Sequence, residues 1–127
     1  MRLSDFELDV MAHFWEHDQL SAPGLFEELG ESRGVTYSTI KTIIDRLEAK
    51  GAIKRVDNRG RTILYRAAVG RERVRRPLVK AFLRRVFGDD LKPLFTQLIR
   101  DEKLSADEID YLKRLLDEAG DKARRSP

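Results

Sequence analysis

The sequence predicts a mainly α-helical protein with one small β-hairpin. Apolar residues recur at helical spacing through most of the 127 residues, whereas two short segments, 52–56 and 62–67, have the composition of strands. Residues 57–60 are rich in turn formers and separate these strands, as a hairpin requires. The chain length fits one domain, or one small domain followed by an oligomerisation element.

The first two helices are predicted from capped segments. Ser4 and Glu7 form a capping box for a first helix. The apolar face of that helix consists of Phe6, Val10, Met11 and Phe14. Ser21 caps a second helix, which tolerates Pro23 in its first turn and ends before a loop at 30–34.

The segment from 35 to 66 is the most informative part of the sequence. Thr36 can cap a third helix that runs to about Lys50, and Gly51 tolerates the left-handed dihedrals of a helix end. The buried stripe of this helix follows the i, i+3, i+4, i+7 pattern and consists of Ile40, Ile43, Ile44 and Leu47. In the second strand of the hairpin, alternation points Ile63 and Tyr65 at the core, with Ala67 on the same face.

Three helices followed by a hairpin are in the order of a winged helix-turn-helix domain. In that arrangement the second and third helices form the helix-turn-helix, the third enters the major groove of DNA, and the hairpin flanks it on the phosphates. We therefore interpret residues 1–70 as a winged-helix DNA-binding domain.

The distribution of charge along the sequence supports this interpretation better than the net charge does. The formal net charge is only +3, but residues 1–32 carry −7 and residues 33–66 carry +6. A second basic run, 71–85, has seven Lys or Arg against one Glu. This run either extends the positive surface or is an ordinary solvated helix face.

The outward face of the third helix and the hairpin provide the candidate DNA contacts. Hydroxyls near the helix start can reach phosphates or base edges, Lys41 can donate to guanine or phosphate, and Arg46 is placed to hold a phosphate. Arginines of the hairpin can contact the sugar-phosphate backbone of DNA or enter a minor groove. The predicted DNA-binding residues are Tyr37, Ser38, Thr39, Lys41, Thr42, Arg46, Arg55, Arg59 and Arg61.

Some of these side chains have alternative roles. Tyr37 is equally well explained as a packing residue at a helix start. Asp45 could orient Arg46, accept from a cytosine, or pair with Lys41 at i,i+4. The hairpin arginines could instead form an exposed, solubilising tip.

For residues 71–119, the sequence predicts a helical dimerisation region. Three apolar stripes follow one another, Ser105 and Glu108 cap the last helix, and Pro77 requires the first helix to start near it or bend there. The segment is too short to bury three apolar faces, and a second copy of the chain would cover them. The predicted dimer contacts are Leu78, Phe82, Val86, Leu91, Leu94, Phe95, Leu98, Ile109, Leu112, Leu115 and Leu116. Residues 120–127 are polar and basic and predict a disordered tail.

Five segments resemble the penicillinase repressor family, typified by the BlaI and MecI regulators: FELDVMAHFW, SAPGLFEEL, TYSTIKTIIDRLEAKGAIKR, ILYR and FGDDLKPLFTQLI. The likeness spans about residues 3–118. It implies a homodimeric winged-helix repressor that binds double-stranded DNA at an inverted-repeat operator upstream of resistance or stress genes.

The resemblance also implies a route of release from DNA. Family members are inactivated by a sensor-linked protease that cuts the dimerisation region, at an Asn-Phe bond in the best-known cases. The aligned pair here is Gln97 and Leu98, so proteolysis and another inducer-dependent route are both open. The copper-responsive branch uses a C-terminal cysteine motif, and this sequence has no cysteine, which excludes that route.

The composition excludes other classes of protein. Without cysteine, neither a disulfide framework nor a thiolate metal site can form. No stretch reaches the roughly 18 apolar residues of a membrane helix, and the N-terminus lacks the apolar core of a signal peptide. We expect a cytoplasmic protein without membrane contact.

Catalytic and metal sites are weakly indicated. His13 and His17 are four residues apart on a helix and could chelate a metal, but two histidines alone are a weak signal. The sequence has no phosphate-binding loop, nucleophile elbow or apolar carboxylate pair. We predict no enzyme, no cofactor and no metal site. The alternative function is a winged-helix adaptor that binds protein rather than DNA.

Overall fold

Helices dominate the structure, with one small antiparallel sheet, as the sequence predicts. This computed structural model describes residues 1–56 and 60–125. Its helices are α1 (Asp5–Glu16), α2 (Ala22–Leu25), α3 (Glu31–Arg33), α4 (Tyr37–Ala49), α5 (Arg71–Phe87), α6 (Lys92–Arg100) and α7 (Ala106–Arg125), and a π-helical turn, Phe26–Gly30, joins α2 to α3. Its strands are β1 (Leu20–Ser21), β2 (Ile53–Val56) and β3 (Leu64–Ala67).

Side-chain caps start the helices where the sequence predicts them. Ser4 and Glu7 exchange hydrogen bonds between side chain and backbone at the start of α1. The Thr36 hydroxyl accepts from the backbone N–H of Thr39 at the start of α4. A reciprocal pair, Ser105 and Glu108, starts α7.

The second predicted helix is longer than expected. The Ser21 hydroxyl accepts from the N–H of Gly24, which confirms the predicted cap. The helical backbone then continues through the π-helical turn to Arg33, so the loop predicted at 30–34 is wrong for 30–33. Gly30 is helical, with φ −61°, and Gly34 ends the helix with φ +69°.

The hairpin is part of a sheet with strand order β1-β3-β2 among the described residues. Arg55 of β2 and Leu20 of β1 both lie opposite Tyr65 in the central strand β3. Strand β1 was not predicted, because two residues are too few for alternation to be recognised. Of the turn predicted at 57–60, only Gly60 lies within the described residues.

One apolar core joins α1, α4 and the sheet. The largest of the fully buried side chains are Val10, Met11, Phe14, Leu25, Ile40, Ile44, Leu47, Ile53, Tyr65 and Val74. The predicted α4 stripe is buried, including Ile43. Ile63, expected in the core beside Tyr65, is 36% exposed. It precedes the first residue of β3, Leu64, so strand alternation does not fix its direction.

The chain divides into two compact units, Met1–Lys80 and Ala81–Pro127. The division falls within α5, whereas the sequence suggested a domain boundary before it, at residue 70. The first unit extends further because Val74, in α5, is buried in its core. The indole N–H of Trp15 also donates to the carbonyl of Val69, just before α5, at 2.9 Å.

The helices after Lys80 leave apolar side chains uncovered. No described residue of α6 or α7 is buried. The most exposed apolar residues here are Phe82, Val86, Phe95, Ile99, Tyr111 and Leu116. None of the helices in the described part of the chain is both long and apolar enough to cross a bilayer.

Two expectations for the C-terminal half are corrected. Helix α5 does not start near Pro77, because it begins at Arg71 and carries Pro77 in its interior. Helix α7 continues to Arg125, so the disordered tail predicted from Gly120 is wrong for 120–125, and residues 126–127 lie outside the described residues. Basic residues in the last turn of α7 favour this continuation, because they face the negative end of the helix dipole.

Candidate nucleic-acid interface

Helix α4 presents a continuous polar face because its aliphatic stripe, Ile40, Ile43, Ile44 and Leu47, turns into the core. Ser38, Thr39, Thr42 and Arg46 are exposed on that face, and Lys41 is partly exposed. The Thr42 hydroxyl donates to the carbonyl of Ser38 at 3.0 Å, which leaves its lone pairs available to an outside donor. The predicted helix contacts therefore lie on one accessible surface.

A recess joins the start of α4 to the chain just before β3. It is a surface cavity of about 280 Å³. Tyr37 and Lys41 line it from α4, Arg61 and Ile63 from the segment before β3, and Pro23 from α2. The structure thus brings together the predicted DNA-binding residues Tyr37, Lys41 and Arg61. Ile63 is exposed because it lines this recess, which is open to solvent.

Tyr37 has the packing role that the sequence offered as an alternative, and it also remains partly exposed. Its ring packs edge-to-face on Phe26, with centroids 5.9 Å apart and an interplanar angle of 89°. The side chain is nevertheless 42% exposed. Tyr37 is therefore a packing residue whose outer edge remains accessible.

Asp45 lies beside Lys41 on the same face. Its carboxylate is 3.8 Å from the Lys41 ammonium, in the i,i+4 arrangement that the sequence offered as one alternative. Both side chains are solvated, so the attraction between them is weak. A phosphate close to Lys41 could replace this partner.

Arg55 lies at the edge of the sheet, outside the wall of the recess. Its Nε donates to the Glu48 carboxylate at 2.9 Å, and its guanidinium carbon is 6.0 Å from the centroid of the Tyr65 ring. The hydrogen bond from Arg55 to Glu48 raises the pKa of Arg55 above its ordinary value. Arg55 is therefore fully charged, exposed and already paired with an acidic residue of α4.

Sequence reasoning missed two cations of the hairpin. Lys54 and Arg66 are exposed and lie directly opposite each other in the β2–β3 register. Like charges in this arrangement repel each other, and a polyanion would relieve the repulsion. Strand alternation could have found them, since both lie on the face opposite Tyr65. The predicted contact Arg59 lies outside the described residues.

An ion pair anchors the C-terminal end of α4 to α1. Lys50 donates to the Glu7 carboxylate at 2.7 Å and to the carbonyl of Arg2 at 2.9 Å. Burial of Glu7 raises its pKa, but hydrogen bonds from Lys50 and Ser4 and the charge of Lys50 more than offset this effect. The pKa of Glu7 therefore lies below its ordinary value, and the carboxylate stays charged although the residue is only 4% exposed.

His13 and His17 both bind Glu28. The ring nitrogens lie 2.8 Å from different oxygens of this carboxylate. Across the described residues, no group of three or more His, Cys, Asp or Glu side chains is arranged to hold a metal ion. The histidine pair is used to connect α1 to the π-helical turn.

The first unit as a whole is a winged helix-turn-helix domain. Helices α2 to α4 form the helix-turn-helix, and the paired strands β2 and β3 form the wing. Proteins of this class place the last of these helices in the major groove of DNA.

Comparison with known proteins identifies the family. The family model described as penicillinase repressor matches residues 3–118. The penicillinase repressor of Staphylococcus aureus is 29% identical over 122 residues, which cover 96% of each chain. The methicillin resistance regulatory protein MecI of Mammaliicoccus sciuri is 30% identical over 114 residues, 90% of this chain and 92% of that one.

Two solved structures are similar to just over half of the chain. The solution structure of the DNA binding domain of the repressor BlaI is 30% identical, with a TM-score of 0.50, and covers 55% of this chain and 84% of that one. Bacillus licheniformis BlaI in monomeric form, in complex with the blaP half-operator, is 29% identical with a TM-score of 0.50 and covers 57% and 87%.

The chain belongs to the penicillinase repressor family. This confirms the resemblance found in the sequence. The family consists of transcriptional repressors, so the prediction that the chain is not an enzyme is confirmed as well.

Proposed function

We propose that this chain is a dimeric repressor that binds an inverted-repeat operator, with α4 in the major groove and the hairpin on the sugar-phosphate backbone. The observation that carries the proposal is the shared recess, where Tyr37 and Lys41 of the reading helix meet Arg61 of the wing. A helix and a wing that converge in this way can grip base edges and backbone together.

The residues divide between two kinds of contact. Ser38, Thr42 and Arg46 lie along the exposed face of α4, where they can reach base edges and nearby phosphates. Arg55 and Arg61 flank that helix and fit phosphate contacts. The complex of B. licheniformis BlaI with a half-operator supports this use of the fold in a relative.

The uncovered helices support a dimer formed with a second copy of the chain. Helix α6 has nine residues, which is too short to be stable in water without packing. Leu98 of α6 lines a groove of about 550 Å³ together with Leu104, Tyr111 and Leu112. An identical chain would cover this apolar groove with its own equivalent surface.

A two-fold dimer determines the form of the operator. Two α4 helices related by the symmetry axis would address half-sites separated by about 34 Å, or a multiple of it. The operator is therefore expected to be an inverted repeat in double-stranded DNA, bound upstream of resistance or stress genes.

Release from DNA would act on the dimer-forming helices. The bond between Gln97 and Leu98 lies inside α6, and both residues are exposed. Cleavage there, by a sensor-linked protease, would separate α7 from the rest of the chain and weaken the dimer. Proteases bind extended chain, so α6 would have to unfold locally before cleavage.

In vitro selection of genomic DNA fragments at two salt concentrations tests the proposal. We expect a shared inverted repeat to be enriched and to persist at the higher salt concentration. Fragments without a common motif, retained only at low salt, would contradict sequence-specific repression. Failure to retain any DNA would instead favour the adaptor alternative.

A further inference from the structure

We infer that the bridge from His13 and His17 to Glu28 positions the recognition helix α4 through the π-helical turn. The inference deepens the proposed function and rests on it. It concerns residues that lie outside the proposed DNA-facing surface. The three side chains act through Phe26, which contacts the first residue of α4.

The bridge uses both oxygens of one carboxylate. His13 Nδ1 lies 2.8 Å from Glu28 Oε2, and His17 Nε2 lies 2.8 Å from Glu28 Oε1. A carboxylate only accepts hydrogen bonds, so His13 donates its Nδ1–H, and His17 makes a close polar contact with the other oxygen. His13 lies in the last turn of α1 and His17 directly follows the helix, and together they fix the position and the plane of the Glu28 carboxylate.

Glu28 lies in the middle of an unusual piece of helix. Glu28 is the central residue of the π-helical turn Phe26–Gly30. A π-helical turn holds an extra residue and is rare, so it persists only where tertiary contacts favour it over an α-helical turn. The two histidine bridges are such contacts, since they connect the turn to a separate helix, α1.

The turn places Phe26 between Gly30 and Tyr37. A Cβ atom at position 30 would overlap the Phe26 ring, so only glycine allows the ring to lie there. The other side of the contact is the edge-to-face packing with Tyr37, at 5.9 Å between centroids. The position of the Phe26 ring thus sets where the first residue of α4 lies.

The consequence is that α1 holds both ends of the recognition helix. Glu7 binds Lys50 just past its C-terminal end, and the histidine bridge acts on its N-terminal end through Phe26 and Tyr37. Because Tyr37 also lines the recess with Lys41 and Arg61, a shift at this end would change the spacing between helix and wing.

A double-mutant cycle read out by operator affinity tests this connection. Glu28→Ala should weaken operator binding by about fivefold in the wild-type background. In a Phe26→Leu background the same substitution should change affinity little, because the route through the ring is already lost. Additive losses would overturn the inference.

Glu27→Ala is the matched control. Glu27 is the exposed neighbour in the same turn, and its replacement removes the same charge from the acidic lobe. Since loss of an acidic residue by itself favours DNA binding, Glu27→Ala should leave operator affinity unchanged or slightly increased. Equal effects of Glu27→Ala and Glu28→Ala would also overturn the inference.

If Glu28→Ala impairs folding, Gly30→Ala provides a second test, because it displaces the same Phe26 ring. Position 30 is helical, and alanine is a better helix former than glycine, so the local backbone is not disfavoured. The new methyl group nevertheless displaces Phe26. We expect folded protein with weakened operator binding, and full operator affinity in folded Gly30→Ala would contradict the inference.

NMR of the free protein separates this inference from the proposed function. The Tyr37 amide and ring resonances should shift in Glu28→Ala and not in Glu27→Ala, whether or not DNA is bound. If the wild-type protein binds no operator but Glu28→Ala still shifts the Tyr37 resonances, the proposed function alone is refuted. Unchanged Tyr37 resonances in Glu28→Ala would refute the positioning role.

Discussion

Arg55 of the sheet donates a hydrogen bond to Glu48 of the recognition helix at 2.9 Å. The pair joins two elements of the candidate interface and places a negative charge beside a cation that faces the proposed DNA. Arg55 is the more exposed partner, with 56% of its side chain accessible against 30% for Glu48. In the proposed complex, Glu48 would therefore compete with phosphate for Arg55.

Replacing Glu48 should strengthen binding to DNA. Glu48→Gln keeps the size of the side chain and removes the competing charge, and we expect operator affinity to rise by about threefold, as an exposed ion pair allows. Fluorescence anisotropy with a labelled operator measures this. Glu118→Gln, the same change on α7, is the control, and equal effects of both substitutions would exclude a specific role for Glu48.

Arg46 is expected to be essential for operator recognition. It is exposed on the outer face of α4, so Arg46→Ala should reduce operator affinity by about tenfold or more, and Arg46→Glu should abolish binding. Size-exclusion chromatography should find both variants dimeric. Lys113→Ala on α7 removes the same charge and should bind normally, and a comparable loss in that variant would argue for non-specific electrostatics.

Operator binding should depend steeply on salt. If each protomer neutralises on the order of four phosphates, the logarithm of the affinity falls with the logarithm of salt concentration at a slope of about −7 for the dimer. Arg61→Ala removes one such contact per protomer and should reduce the slope by about 2. A titration that is nearly flat with salt would contradict binding to the backbone.

The dimer should depend on the exposed apolar residues of α6 and α7. Phe95 is 54% exposed and Leu116 is 68% exposed. A charge at either position would be buried unpaired in a dimer, so Phe95→Glu and Leu116→Glu should give monomers, which light scattering detects. The wild-type melting temperature should rise with protein concentration, and that dependence should vanish in the variants. Lys113→Glu should remain dimeric.

Stability at low pH should depend on Glu7. Its pKa is lower in the folded protein than the ordinary value of 4.5, so its contribution is complete above that value and is lost as the pH falls through the folded pKa. Urea unfolding should therefore show a decline in the free energy of unfolding below about pH 4.5. Glu7→Gln cannot titrate and should show a smaller decline, and identical pH profiles would contradict this role of Glu7.

Local sequence patterns were sufficient for most helices of the fold. The caps at Ser4, Thr36 and Ser105 lie within three residues of the groups they bond, and the α4 stripe repeats within a few turns. Such signals depend on neighbours in sequence, so they can be read without knowing the tertiary structure. The family resemblance was also recognisable, because its motifs are continuous segments.

The sequence could not reveal contacts between distant segments. Strand β1 exists because Leu20 pairs with Tyr65. The π-helical turn has no sequence signature, and its contact with α1, from Glu28 to His13, joins residues 15 positions apart. The candidate readout residues of α4 were chosen correctly as exposed, but the sequence gave no indication that Arg55 is paired with Glu48.

By itself, the sequence determined most of the helices, their caps, the buried stripe of α4 and the basic character of its outer face, since each depends on neighbouring residues. The tertiary structure decided what holds that surface in place. Lys50 meets Glu7 across 43 positions and His13 meets Glu28 across 15. Such pairs form only when the apolar core brings the elements together, because burial of the core outweighs the entropy of ordering the chain between them.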